Sequence, residues 1–381
     1  MSTCICFRLE LTNVGSMNYL REMHTAIVLT NGKVLVTGGR SDAVNTLSSA
    51  ELYDASTGTW TSTGSMNSPR SQHTASLLTN GTVLVTGGTN RGNILSSAEL
   101  YDPSRGTWTT TGSMNSPRSQ HTASLLADGK VLVVGGNRID DPNTTELYDP
   151  STETWTTTGN MNSRRYGHAT SLLENGKVLV TGGTLGSDIL SSAELYDPST
   201  ETWTNTSNMN SPRTEHTASL LTNGKVLVTG GNRIDDPNTT ELYDPSTGTW
   251  TTTGSMNSPR SQHKTSLLTN GNVLVIGGEK LNPIQNGAEL YDSSTGNWTT
   301  TGSMNSPRSQ HTASLLTNGK VLVTGGRFAI FVSSTTELYD PSTETWTTLG
   351  SMNRPQTRHT LASLTNEQVL VNDQWSNVSV V

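Results

Sequence analysis

Eight histidines stand in the chain, His24, His73, His121, His168, His216, His263, His311 and His359, and each takes the same place in a recurring phrase, SPRSQHTASLLTNGKVLVTGG at 306–326. Three residues before seven of them comes an arginine: Arg21, Arg70, Arg118, Arg165, Arg213, Arg260 and Arg308, with Gln356 in the eighth copy. Further along each copy stands a glutamate, Glu51, Glu99, Glu146, Glu194, Glu241, Glu289 or Glu337, so seven carboxylates match seven guanidinium groups. Imidazole is the commonest metal ligand among side chains, and a ring of eight raises metal binding as a question. A half-buried carboxylate needs a partner, and arginine is the obvious one.

What these residues can do depends on the elements that hold them. Trp60, Trp108, Trp155, Trp203, Trp250, Trp298 and Trp346 recur every 47 or 48 residues, and the Gly-Gly pairs, such as Gly87-Gly88, every 47 to 49. A fixed period overrides the length prior of two or three domains, because repeats share one continuous core. HTASLL reads as a short strand ending at TNGK, where Asn-Gly between apolar runs signals a hairpin. KVLVTGG is its partner, and the unbroken Val-Leu-Val predicts a strand buried on both faces. Its Gly-Gly end marks a place where a side chain would clash or φ must be positive. Glu99 and Tyr101 lie in a third strand, SSAELYD; the turn DPSRGT follows, with Asp and Pro supplying turn chemistry, and Trp108 opens a fourth strand. Each repeat is thus a four-stranded antiparallel meander, and such units bury their faces by stacking radially into a β-propeller.

Gly-Gly after Val-Leu-Val, then Glu-x-Tyr-Asp, then Trp, resembles the kelch repeat. The wording HTASLL..GKVLVTGG is similar to the kelch repeats of the galactose oxidase central domain, over nearly the whole chain. The expected fold is an all-β, kelch-type propeller forming one domain over 1–381. Seven complete repeats span 17–351 and a partial eighth 352–381, where Asn372 and Asp373 replace Gly-Gly. The N-terminal strand within 1–16, ICFRLEL, is expected to complete the last blade from outside, giving eight blades; seven is the alternative.

In an up-down meander the loops sort by parity: TNGK and DPST turns share one face, and the loops after Gly-Gly share the other with the inter-blade NSPRSQ segment. The second face is where blades differ, although blades 3 and 5 carry the same loop, NRIDDPNTT. The last loop clusters Phe328, Ile330, Phe331 and Val332, two of the three phenylalanines in the protein. Exposed clustered apolar residues mark a partner site, unless the loop folds over to cap its neighbour.

The kelch resemblance implies that the arginine of the Pro-Arg-Ser segment lines a pocket for acidic peptides, which would make Arg70, Arg118, Arg165, Arg213, Arg260 and Arg308, with Phe328 and Phe331, the ligand-binding set. Pairing with the glutamates is the competing reading, and both stay open at this level. Gly87, Gly88, Glu99, Tyr101, Trp108 and His121 are read as structural repeat positions. The imidazoles read as hydrogen-bonding parts of the repeat: eight blades about 10 Å apart put them near a radius of roughly 13 Å, against a metal bond of about 2 Å.

The galactose oxidase likeness implies a Cys-linked Tyr, a second Tyr and two His on copper. Here Cys4 and Cys6 are the only cysteines, and every Tyr except Tyr19 and Tyr166 belongs to the repeated Leu-Tyr-Asp, so that site does not map. A sialidase Asp-box fails too, since Asp54 precedes Gly58 by four residues. Catalysis also wants different groups converging on one point, whereas here the same groups repeat. The expectation is a non-catalytic binding scaffold with no catalytic residue, metal or cofactor, a monomer whose loop face takes a protein, acidic peptide or glycan. A carbohydrate-active enzyme and a cell-surface spacer are the alternatives.

A net charge of −7 and a pI near 5.6 argue against a nucleic-acid partner, which requires a basic footprint. No run of 18 apolar residues suggests membrane insertion, and the first residues do not read as a signal peptide. Cys4 and Cys6 would sit about 6.6 Å apart on one strand face, the long end for a disulfide. Asn143, Asn205, Asn238, Asn297 and Asn377 head sequons. The compartment is left open between cytoplasm and secretion.

Overall fold

A computed structural model of the chain describes residues 10–12, 17–19, 21–42, 44–54, 57, 59–136, 143–231, 238–279, 284–328, 331–351, 361–363, 369–371 and 377–379. Cys4, Cys6, Ile330, Gln356, His359, Asn372 and Asp373 lie outside them. All regular structure among the described residues is β. Blade 2 shows the plan: an inner strand Thr74–Leu77, a second Val83–Thr86, a third Ala98–Asp102 and an outer Thr107–Thr110, each antiparallel to its neighbour. Seven blades of this kind follow one another between Thr25 and Ser351, the number of the seven-blade alternative.

Between blade 7 and blade 1 lies a further four-stranded sheet drawn from both chain ends. Its order is Leu361–Ser363, Val369–Val371, Asn377–Ser379 and, at the outer edge, Glu10–Thr12, with Glu10 opposite Ser379. Its inner strand contacts the inner strands of blades 7 and 1, so the inner strands surround a common axis.

The core sits between blades. Val83 and Val85 of blade 2 pack on Leu29, Leu35 and Ala50 of blade 1, while Leu84 faces Val131, Val133 and Tyr148 of blade 3. Alternation therefore serves two apolar neighbours instead of one neighbour and water, which is why Val-Leu-Val carries no polar residue. On the third and outer strands Tyr101 stands opposite Trp108 with ring centroids 5.0 Å apart, and all seven blades repeat the pair. The Tyr101 hydroxyl shares a 2.8 Å hydrogen bond with Thr63, and the Trp108 indole N–H donates to the Gly64 carbonyl at 2.8 Å, so the polar ends of both rings reach the preceding blade.

The turns follow their chemistry with one difference. Asp102 Oδ1 accepts from the Ser104 N–H at 2.8 Å and its hydroxyl at 2.7 Å, the Asx turn expected of Asp-Pro-Ser. At Thr30-Asn31-Gly32 only Gly32 takes positive φ, at 77°. Leu29 N–H donates to Lys33 C=O and Gly32 N–H to Leu29 C=O, so the connection is a three-residue loop with glycine at the left-handed place, not a two-residue turn with both residues left-handed.

Gly87, at φ 59°, has no room for a side chain: a Cβ would meet the Arg118 carbonyl and the His121 ring. Gly81, at φ 83°, has only Thr30 near, at 3.6 Å. Gly87→Ala is expected to destabilise the propeller by at least about 3 kcal/mol, and Gly81→Ala by only about 1–2 kcal/mol. Paired denaturant unfolding curves check this, and equal losses would refute the steric account.

Candidate functional site

The loop face is built around the segment that leads into each blade. In blade 2 the Asn67 and Ser68 N–H groups donate to the Glu99 carboxylate at 2.6 and 3.0 Å, and Arg70 Nη2 donates to Glu99 Oε1 at 2.9 Å. Arg70 Nη1 donates to the carbonyls of Gly87 and Ser97, at 2.9 and 2.8 Å, so the guanidinium also ties the end of the second strand to the approach of the third. All seven Arg–Glu pairs form, at 2.5–3.0 Å, with both side chains at most 2% exposed. Desolvation lowers the pKa of Arg21, Arg70, Arg165, Arg213, Arg260 and Arg308, opposed by the paired glutamates. The ligand-facing expectation for Arg70, Arg118, Arg165, Arg213, Arg260 and Arg308 therefore meets a correction: their charged ends are inside the blade, spent on its own carboxylate and carbonyls.

Gly-Gly belongs to the same device. The Gly88 N–H donates to the Arg118 carbonyl of the next blade at 2.7 Å, and Gly39, Gly183, Gly231 and Gly278 repeat that bond. Arg70, Arg118, Arg213, Arg260 and Arg308 thus each clamp their own blade through the side chain and join the blade before it through the backbone.

The histidines link blades as well. His121 Nε2 hydrogen-bonds with Thr74 and Thr86 of blade 2 at 2.9 and 3.1 Å, and His73 with Thr25 at 2.8 Å. His168, His216 and His263 repeat the link to a threonine of the blade before. Burial, helped by the neighbouring arginines, pushes His24, His121, His216 and His263 down to about 3 and His168 to about 4, so they are neutral imidazoles near pH 7. Among the described residues no three His, Cys, Asp or Glu side chains gather to hold a metal ion.

Nearer the axis, the residue before each histidine forms a rim. Met23, Gln72, Gln120, Gly167, Glu215, Gln262 and Gln310 all have φ between 51° and 63°. The Gln72 N–H donates to Met23 C=O, Gln120 to Gln72, Glu215 to Gly167, Gln262 to Glu215 and Gln310 to Gln262. On blades 5 to 7 the side chains continue the chain of bonds, from Gln310 Nε2 to Gln262 Oε1 at 2.6 Å and from Gln262 Nε2 to Glu215 Oε2 at 3.0 Å. This rim, and the cavity of about 440 Å³ beneath its blade 5–7 arc, were not read from sequence. The signal was there: blade 6 has His263-Lys264-Thr265-Ser266 where blade 2 has His73-Thr74-Ala75-Ser76.

The variable loops of blades 2, 4 and 7 rise as small hairpins, Thr89–Asn90 with Asn93–Ile94, Thr184–Leu185 with Asp188–Ile189, and Arg327–Phe328 with Phe331–Val332. The blade 7 hairpin does not fold over to hide its apolar residues: Phe328 is 44% and Phe331 67% exposed. At its base Arg327 pairs with Glu279 of blade 6 at 3.3 Å. Tyr166 and Leu185 are also exposed at blade 4.

The family described as KLHDC2/KLHL20/DRC7 Kelch-repeats domain matches residues 8–183, 110–278 and 167–372. No curated protein matches the chain. Among solved structures, a fungal alcohol oxidase of the AA5 family, in complex with copper, is similar with a TM-score of 0.66 and 18% identity. The similarity covers 96% of this chain and 84% of the oxidase.

Two outcomes follow from the buried groups. Glu99→Gln leaves the Arg70 charge uncompensated and is expected to cost about 3–5 kcal/mol in denaturant unfolding; a loss below about 1 kcal/mol would contradict the clamp. For the histidines, the unfolded chain takes up protons near pH 6.5 while the folded imidazoles resist until about 3 or 4. Stability is therefore full above about pH 6.5 and falls as the pH drops, by up to about 1.4 kcal/mol per pH unit for each such histidine. Unfolding free energies between pH 6 and 4.5 should show uptake of several protons, and His121→Gln should reduce that number by about one.

Proposed function

The chain belongs to the kelch-repeat family, and from that premise we propose that it is a non-catalytic binding scaffold whose loop face takes a protein partner, with the blade 7 hairpin as the anchor. One observation carries this reading: Phe328, Phe331 and Val332 are exposed together on a tight hairpin braced by the Arg327–Glu279 pair. Aromatic side chains held on paired strands bury much area on contact while losing little freedom, which is how a few residues dominate an interface. An acidic ligand held by the repeated arginines finds no support in their burial. The likeness to the fungal oxidase extends to the fold, and the Cys-linked Tyr of a galactose oxidase site does not map onto a sequence whose only cysteines are Cys4 and Cys6.

The test is a panel of arrayed peptides, protein domains and glycans, probed with the wild type and with a Phe328→Ser/Phe331→Ser variant of unchanged circular dichroism. A bound protein or peptide is expected to lose at least about ten-fold in affinity in the double variant. Arg105→Ala, an exposed change in a turn on the opposite face, should leave it unaffected. Equal binding by the double variant would remove the hairpin from the site, and alcohol turnover by copper-loaded protein would overturn the non-catalytic reading.

A further inference from the structure

We propose that the axial cavity of blades 5 to 7 binds a small anion, one bearing a carboxylate or phosphate group, on the Lys264 ammonium. The residue after the histidine is Thr25, Thr74, Thr122, Ala169, Thr217, Lys264 or Thr312 in blades 1 to 7. Where threonine stands, its hydroxyl typically bonds the histidine of the next blade, as Thr25 does His73 and Thr74 does His121. Lys264 cannot reproduce that short bond, and the second-strand threonine that shares the task at Thr86 and Thr229 is Ile276 in this blade. Blade 6 has thus given up the linking chemistry and placed a cation on the wall of the cavity instead.

That cation stands apart from the other described lysines. Lys33, Lys130, Lys177, Lys225 and Lys320 each meet a carboxylate, at 2.8–3.8 Å. Lys264 meets neither a carboxylate nor a hydrogen-bond acceptor among the described residues; its side chain is exposed to the open cavity, and partial desolvation by the surrounding blades lowers its pKa. A partly desolvated ammonium without a counter-charge is less favourable than one in bulk water, and an anion entering the cavity would offset that cost.

The surroundings suit such a guest. A volume of about 440 Å³ falls in the ordinary range for small-ligand sites. His216 and His263 are held neutral by burial, so they add no competing charge, and the Gln262 and Gln310 amides lie on the same wall. Glu215, the carboxylate on that wall, accepts from Gln262 Nε2 and disfavours densely charged polyanions. The cavity on the blade 1–3 arc, about 380 Å³ and lined by Met23, Gln72, Gln120 and three histidines, has no ammonium and serves as an internal contrast.

The experiment is calorimetric titration and thermal unfolding of the full chain with acetate, succinate, inorganic phosphate and sulfate, at constant ionic strength set with chloride. Lys264→Thr restores the residue of the other blades and is expected to fold; Lys264→Met, close in length, repeats the comparison if it does not. Saturable binding in the carboxylate or the phosphate arm, weakened about ten-fold or abolished in the neutral variants, is the expected result. The arm that responds identifies the ligand group. No saturable binding by the wild type in any arm, or equal binding by the variants, would overturn the proposal.

Discussion

The propeller depends on a charge that has been taken out of water seven times. A buried ion pair contributes little net stability, because desolvation offsets the attraction, but it tolerates very few geometries. Here the carboxylate is fully used by Arg70 and by the Asn67 and Ser68 N–H groups, and the guanidinium bridges to the carbonyls of Gly87 and Ser97. The entering segment, the second strand and the third strand must then meet in one arrangement. The Gly88 N–H extends it to the next blade, so the spacing around the axis follows from the same set of bonds.

Because architecture uses up the repeated groups, function is left to the places where the repeats differ. Arginine, glutamate, histidine, tyrosine and tryptophan recur at matching positions, and Arg70, Glu99, Tyr101, Trp108 and His121 are each paired within a blade or to its neighbour. Groups so engaged cannot turn to a ligand without loosening a blade. The departures, an apolar hairpin on blade 7 and a lysine in the inner strand of blade 6, occur where the backbone is already secured by others. A loop tip can vary without disturbing the core, and an inner-strand side chain can vary if it faces the axial space.

Much of this was legible along the chain. Seven glutamates at the loop-face end of the third strand match seven arginines in the segment above it, so count and parity offered the pairing as one of two readings, beside contact with a ligand. Asp102 and Ser104 announce their turn because an Asp side chain reaches the N–H two residues on. The Thr30-Asn31-Gly32 loop was readable as a hairpin but not as to type, since two- and three-residue connections accept the same Asn-Gly pair. Lys264 passed unnoticed because one polar substitution in a short strand looks like ordinary drift until its surroundings are known.

Sequence by itself determined the period, the four-stranded unit, the turn chemistry and the matching of charges, all of which are expressed in spacing along the chain or in composition. Only the tertiary structure decided that the arginines turn inward, that Phe328 and Phe331 stay in water, and that Lys264 faces the blade 5–7 cavity without a carboxylate partner among the described residues. Spacing is a local property that residue order carries. Enclosure depends on which blades stand on either side of a group, and it exists only once the ring brings distant repeats together.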